Sequence, residues 1–255
     1  MNKKICVTGA TSGFGKAIAT SFARQGYDCL ITGRREDRLL ALANELRDQY
    51  GVTIQTLCFD VRNREAVDQA IASLPSDWQS LDVLVNNAGL ALGRDPFDQA
   101  SIEDWETMID TNIKGVLYVT KAFLEPMKQK KSGHIINIGS TAAKEVYEKG
   151  NVYCATKSAL DAISQSMRID LLSYGIKVTT IHPGAAETEF SVVRFKGNQN
   201  QAAAVYEGYQ PLVAEDIAQV VSFCASLPPH VCINDLVMTS TSQANSFYLH
   251  KPDIR

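Results

Sequence analysis

With 255 residues, 45% hydrophobic and 21% charged, the chain has the balance of a soluble globular protein and enough apolar material for one large core. A formal net charge of −3 supplies no basic field for nucleic acid or an anionic membrane surface, and no stretch reaches the roughly 18 to 20 apolar residues of a membrane span. Six scattered cysteines (Cys6, Cys29, Cys58, Cys154, Cys224, Cys232) show no Cys-x-x-Cys pair and no metal-like spacing with histidine. Buried free thiols in a reducing compartment, by default the cytoplasm, and no metal are the expectation.

Strand-length apolar runs alternate with longer segments of helical period. Lys4 to Thr8 predicts a first strand and Phe14 to Gln25 the helix after it. Asp28 to Thr32 is the second strand, followed by a helix from Glu36 to Tyr50 and a third strand from Thr53 to Phe59. Arg64 to Leu74 reads as a short helix stopped at Pro75, which lacks the amide proton to continue one. Asp82 to Val85 is a fourth strand. Ser101, with Asp104 three residues on, suggests a capping box opening a long helix to about Lys130.

Ile135 to Ile138 is a fifth strand, and Val152 to Tyr174 a long helix with Gly175 as its C-terminal cap. Lys177 to Ile181 is a sixth strand, broken by Pro183 and Gly184. A last helix, Glu215 to Ala225, and a last strand, Ile233 to Met238, complete the chain. Ala185 to Tyr209 shows no period and is expected to be an irregular loop or lid. The alternation predicts an α/β protein in which residues 1–255 form one domain: a doubly wound, Rossmann-like parallel sheet. Its ligands would lie beyond the carboxyl ends of the strands.

Thr8-Gly9-Ala10-Thr11-Ser12-Gly13-Phe14-Gly15 joins the first strand to the first helix. Glycines there let the backbone turn sharply and approach a pyrophosphate, whose charge meets free amides at the helix start. About 20 residues on, an acidic residue would bind the ribose of NAD; here the second strand ends in Thr32-Gly33-Arg34-Arg35. Guanidinium groups suit a 2′-phosphate, so NADP is the expected cofactor, with Glu36 leaving NAD as the alternative.

Tyr153 and Lys157 lie four residues apart and so share one helix face. A phenol of pKa near 10 is a poor base at neutral pH, and a neighbouring ammonium together with a cationic nicotinamide would favour the phenolate. Lowering it by about 3 units takes roughly 4 kcal/mol of differential interaction. Ser140 follows the fifth strand, where its hydroxyl could bond a substrate oxygen. His134 and His182 sit beside strand cores and read as packing residues.

Thr8-Gly9-x-x-x-Gly13-x-Gly15, Asn86-Asn87-Ala88-Gly89, Asn112, Ser140, Tyr153 with Lys157, and Pro183-Gly184 stand in an order and spacing that resembles the short-chain dehydrogenase/reductase family. The resemblance covers nearly the whole chain. It implies a catalytic tetrad of Asn112, Ser140, Tyr153 and Lys157. Tyr153 would exchange the proton, Ser140 hold the substrate oxygen, Lys157 lower the tyrosine pKa and bind the nicotinamide ribose, and Asn112 hold a water. Asp60 and Val61 would flank the adenine, Asn87, Ala88 and Gly89 lie by the cofactor, and Thr188 meet the carboxamide.

Longer local runs, among them NNAGLALG from Asn86, EDWETMIDTN from Glu103 and Thr188-Glu189-Phe190, resemble the NADP-dependent 3-hydroxy acid dehydrogenases. That branch implies a homotetramer and small substrates such as serine, allo-threonine, 3-hydroxyisobutyrate or malonic semialdehyde. A small carboxylate needs a cation near the nicotinamide; Arg194 in the expected lid is the candidate, with Lys196 as runner-up. Lys144, Glu145, Glu148 and Lys149 stand where relatives carry smaller or aromatic residues, and are expected to flank the substrate pocket. A broad carbonyl or sugar reductase is the alternative function, and a non-enzymatic NADP-sensing protein a more distant one.

Overall fold

The structure, a computed structural model, describes residues 2–251. Seven strands, β1 (Lys4–Val7), β2 (Asp28–Gly33), β3 (Ile54–Cys58), β4 (Val83–Asn86), β5 (Gly133–Ile138), β6 (Ile176–Pro183) and β7 (Asp235–Met238), form one sheet. Their order is β3-β2-β1-β4-β5-β6-β7 and each neighbouring pair is parallel. Ile5 and Val7 of β1 and Val83 and Val85 of β4 face a core shared with α1 (Gly13–Arg24) and α2 (Glu36–Tyr50). Cys6 and Leu84 face the opposite core, with α3 (Arg64–Ala72). Because both faces are covered there, β1 and β4 are near-continuous apolar runs, while the edge strands β3 and β7 are partly exposed.

Three expectations are corrected here. The long helix predicted from 101 to 130 is divided into α4 (Ile102–Ile109), a wider π-type turn (Asp110–Lys114) and α5 (Gly115–Lys130). The extra residue in the turn lets Asn112 reach inward, where its Nδ2 donates to Leu90 O at 2.8 Å and Thr156 Oγ1 at 3.0 Å. Only half of the capping box forms. Ser101 Oγ accepts from Asp104 N at 3.3 Å, but the Asp104 carboxylate pairs with Lys196 at 2.8 Å.

The stretch after β6 is also not irregular. After α6 (Asn151–Asp170), a single 3-10 turn ending at Gly175, and β6, it holds two short helices, α7 (Glu189–Arg194) and α8 (Gln199–Ala204). Thr188 and Asn198 cap them, accepting from Phe190 N and Gln201 N. Six residues each is too short for a visible apolar period. α9 (Ala214–Ser226) then returns to pack on α1.

Strand order reverses between β1 and β4, and a crevice opens at their carboxyl ends. Thr8 ties the two sides together. Its Oγ1 accepts from Asn87 N at 3.0 Å and Ala88 N at 2.9 Å, while Asn87 Nδ2 donates to Thr8 O at 2.8 Å. Deeper in, Asn86 Nδ2 bonds Thr120 Oγ1 and Asn137 Oδ1, and Asn137 Nδ2 bonds Ser164 Oγ, so α5, β4, β5 and α6 share one buried polar chain.

Candidate active site

Gly9 and Gly13 adopt φ of +67° and +49°, the left-handed region that favours glycine, and a side chain at Gly15 would strike the Gly9 carbonyl. The loop therefore presses against the start of α1. Ser12 makes no side-chain cap there and the first turn carries no acidic residue, so no side chain of the turn answers its amide protons. An open helix start of this kind is an anion site. Phe14 turns inward to pack on the core.

Arg35, more than Arg34, reaches this loop. Its Nε and Nη2 donate to Thr11 Oγ1 at 3.1 and 2.8 Å, and Nη2 to Ser12 Oγ at 2.9 Å. Its Nη1 pairs with Glu189 at 2.9 Å, and Arg38 pairs with the other oxygen of the same carboxylate at 2.7 Å. Burial opposes ionisation, yet the two guanidiniums hold Glu189 below the usual carboxylate range. Arg34 is exposed and lies 3.8 Å from Asp60, whose main partner is Arg62 at 2.7 Å. A pocket of about 400 Å³ beside the loop is lined by Thr11, Ser12, Gly13, Lys16, Arg38 and Glu189 among others.

Around this floor the remaining candidates gather. Val61 sits against Gly115, where any side chain would collide with it. Gly89 passes close to both Asn112 and Lys157: a β-carbon there would stand 3.3 Å from Asn112 Oδ1 and 3.5 Å from Lys157 Nζ. Thr188, the cap of α7, faces Gly13 across the crevice mouth. Pro183 ends β6, and Gly184 N bonds Met238 O at 2.8 Å, leaving no room for a side chain beside Gln243.

Tyr153 and Lys157 come together on α6, both buried, with Lys157 Nζ 5.9 Å from the Tyr153 ring centre. The ammonium donates to Ile138 O at 2.9 Å, which fastens α6 to the end of β5. Burial pushes Lys157 down to about 8. Burial, reinforced by Tyr147, pushes the Tyr153 phenol up, against the pull of Ser140 and Arg194. The lowered tyrosine pKa expected from the sequence is therefore absent from the chain alone. Desolvation outweighs a cation at that distance. Asn112 has its side chain fully engaged, its Oδ1 accepting from Leu90 N at 2.9 Å.

The Arg194 guanidinium lies 5.5 Å from the ring centres of both Tyr153 and Tyr147, and its Nε donates to Gly93 O at 3.3 Å. Lys196, the runner-up, is paired with Asp104 instead. The four charges between Ser140 and Tyr153 do not act together on the pocket. Lys144 bonds Asp161 and Asp235, Glu145 accepts from Ser246 N, and Glu148 and Lys149 face each other at 3.6 Å. Ser140 Oγ accepts from Ala142 N at 3.1 Å.

Sequence reasoning missed Tyr147 and Phe190, which with Leu90, Met108 and Trp105 form an apolar cluster about Tyr153. Phe190 packs on the Tyr153 ring at 5.7 Å. It also missed Arg38 and Glu189, more than 150 positions apart. The visible signals were an aromatic six residues before Tyr153 and the run Thr188-Glu189-Phe190, which carries a resemblance alone, with no role given at positions 189 and 190. His134, as expected, is a packing residue, its Nε2 2.7 Å from Thr179 Oγ1 and burial taking it to about 3. The six cysteines are free, four of them buried.

A family model described as short chain dehydrogenase matches residues 3–199. The NADP-dependent 3-hydroxy acid dehydrogenase YdfG of Salmonella typhi is 50% identical over 241 residues, 94% of this chain and 96% of that protein. Serine 3-dehydrogenase of Agrobacterium fabrum is 44% identical over 244 residues, 96% of each. Among solved structures, a closed serine dehydrogenase complexed with NADP+ superposes with a TM-score of 0.91 at 47% identity, covering 95% of this chain and 97% of that one.

Lys157 carries a stability cost. Its value of about 8 in the folded chain lies below the ordinary 10.5, so at pH 7 both states are protonated and the folded one bears the whole desolvation penalty. That penalty is relieved as pH rises from about 8 towards 10.5. Lys157→Met is expected to raise the unfolding free energy at pH 7 by on the order of 2 kcal/mol, after the loss of the Ile138 hydrogen bond. The gain should shrink across that pH window in urea titrations; a loss of stability at pH 7 would contradict the assignment.

Proposed function

The chain belongs to the short chain dehydrogenase family, and on that premise we propose that it passes a hydride between NADP(H) and a small 3-hydroxy acid. The names of the relatives give a 3-hydroxy acid and serine as the substrates of those proteins; for this chain serine, allo-threonine, 3-hydroxyisobutyrate and malonic semialdehyde are the proposed substrate types. The observation that carries the substrate class is Arg194, a guanidinium 5.5 Å from the Tyr153 ring centre inside an apolar cluster. An uncharged alcohol has no use for it; a carboxylate one carbon removed from the reacting carbon does.

The residues present fit NADP(H). The open start of α1, with Gly9, Gly13, Phe14 and Gly15, suits the pyrophosphate, and Thr11, Ser12, Arg34, Arg35 and Arg38 suit the 2′-phosphate. Glu189 already answers two of those guanidiniums as phosphate oxygens would. Asp60 and Val61 are assigned to the adenine, and Asn87, Ala88, Gly89, Pro183, Gly184 and Thr188 to the remainder of the cleft. When bound, NADP(H) supplies or accepts the hydride.

Tyr153 moves the proton. Held as a phenol by burial, it is set to donate to a carbonyl oxygen; in the reverse direction it must first release that proton, and the phenolate then takes the proton of the substrate hydroxyl. Lys157 stays charged at neutral pH, favours the phenolate and binds the ribose. Ser140 holds the reacting oxygen, and a water at Asn112 meets its main chain because the side chain is engaged. Residues 185–210, carrying α7 and α8, act as the lid. Cytoplasmic placement and a homotetramer complete the proposal. Ile102, Leu117, Ile169 and Leu172, exposed on α4, α5, the end of α6 and the 3-10 turn after it, support pairing through the long helices.

An NADP+ reduction screen over 3-hydroxy acids and simple alcohols tests the reading, and activity confined to uncharged alcohols would overturn it. Arg194→Ala is expected to raise KM for serine or 3-hydroxyisobutyrate at least about tenfold more than for an uncharged alcohol. Equal changes would remove the carboxylate clamp. Glu189→Gln frees Arg35 and Arg38, so NADP+ should bind about threefold more tightly while NAD+ is unaffected. Unchanged NADP+ affinity by fluorescence titration would detach these arginines from the 2′-phosphate.

A further inference from the structure

Four ionisable side chains from four parts of the fold meet against the Gly139–Ser140 turn. His182 comes from β6 and is fully buried. Its Nδ1 lies 3.0 Å from the Ser140 carbonyl oxygen and 3.4 Å from Ser140 N, and a side chain on Gly139 would strike the imidazole ring. Its Nε2 lies 2.7 Å from Asp235 Oδ1 on β7 and 3.8 Å from Asp161 Oδ1 on α6. Lys144 Nζ reaches the second oxygen of each carboxylate at 2.8 Å.

Two carboxylates facing one ammonium leave one negative charge, and it faces His182 Nε2. Burial drives the imidazole below its ordinary value, and Asp235 pulls against it. Asp161 Oδ1, His182 Nε2 and Asp235 Oδ1 all lie within 4.8 Å of one another, but the ammonium of Lys144 already bridges the carboxylates where a metal ion would. The cluster is thus closed by its own cation.

What it holds is a turn. The Ser140 hydroxyl accepts from Ala142 N at 3.1 Å and opens the 3-10 turn Thr141–Ala143, which Lys144 directly follows. The near end of that turn meets His182 at the Ser140 main chain, and the far end is held by Lys144 on the two carboxylates that face the same ring. A hydroxyl required to meet a reacting oxygen within a few tenths of an ångström depends on such support.

We propose that His182 is a positioning residue for Ser140, clamping its main chain while the Asp161–Lys144–Asp235 cluster holds the imidazole in place. The inference rests on the reading of Ser140 as the residue that holds the reacting oxygen. His182 touches neither substrate nor cofactor in this scheme. It sets where the Ser140 hydroxyl points.

The test is a set of His182 variants in wild-type and Ser140→Ala backgrounds, with kcat, KM and NADP+ affinity measured for each. Asparagine places a polar atom where Nδ1 was, glutamine where Nε2 was, and leucine neither. His182→Leu is expected to lower kcat about tenfold with NADP+ affinity unchanged. His182→Asn should recover most of the loss and His182→Gln little. In the Ser140→Ala background His182→Leu should cost nothing further.

An equal loss in both backgrounds, or equal rescue by asparagine and glutamine, would overturn the proposal while leaving Ser140 in its role. A harmless Ser140→Ala would instead remove the underlying reading and the inference with it. Asp235→Asn, on a partly exposed strand end, guards against misfolding; it should lower kcat about threefold, again only when Ser140 is present. A rise in Tm on adding Zn2+ that Asp161→Asn abolishes would make the cluster a metal site and overturn the positioning role.

Discussion

The hydrogen bond from the Lys157 ammonium to the Ile138 carbonyl, 2.9 Å long and shielded from water, couples the helix of the proposed reacting pair to the end of β5. A cation in that position is costly, which its depressed pKa records. The rest of the site is arranged around keeping it there. Gly89 leaves space for it, Asn112 holds the Gly89–Leu90 loop through a turn wider than an α-helix, and Tyr153 lies one helical turn away. Stability is given up at this point of the fold, and a pair of groups with opposed pKa shifts is obtained in exchange.

A helix of only six residues joins the two ends of the cleft. On α7, Glu189 reaches Arg35 and Arg38 beside the glycine loop, Phe190 packs on the Tyr153 ring, and Arg194 lies over Tyr153 and Tyr147. The carboxylate that pairs with the arginines beside the glycine loop and the guanidinium that lies over Tyr153 are therefore mounted on one short helix. Movement of α7 would alter both together, and this is the physical content of the proposal that 185–210 is a lid.

Much of this was legible in the sequence, for reasons of spacing. The four-residue offset of Tyr153 and Lys157 put them on one helix face, and glycines directly after a strand marked the loop before α1. Apolar runs covered on both faces exposed the parallel sheet. What stayed hidden depends on partners remote in sequence. Lys196 was a plausible cation until the fold brought Asp104 beside it. The Tyr153 pKa could be argued from its neighbour, but burial decided its direction. The π-type turn at Asn112 leaves no periodic trace, and two six-residue helices show none either. His182 read as packing because its polar partners come from α6, β7 and the turn after β5, which no local window contains.

The central claim is that the buried phenol of Tyr153 carries the proton. Its most direct test is the single-turnover rate of Tyr153→Phe with NADP+ binding measured on the same protein. The change removes one oxygen and keeps the ring among Leu90, Met108 and Phe190. The account predicts unaltered folding, near-normal NADP+ affinity and a rate lower by about a thousandfold. A rate within a few-fold of the wild-type value would contradict it.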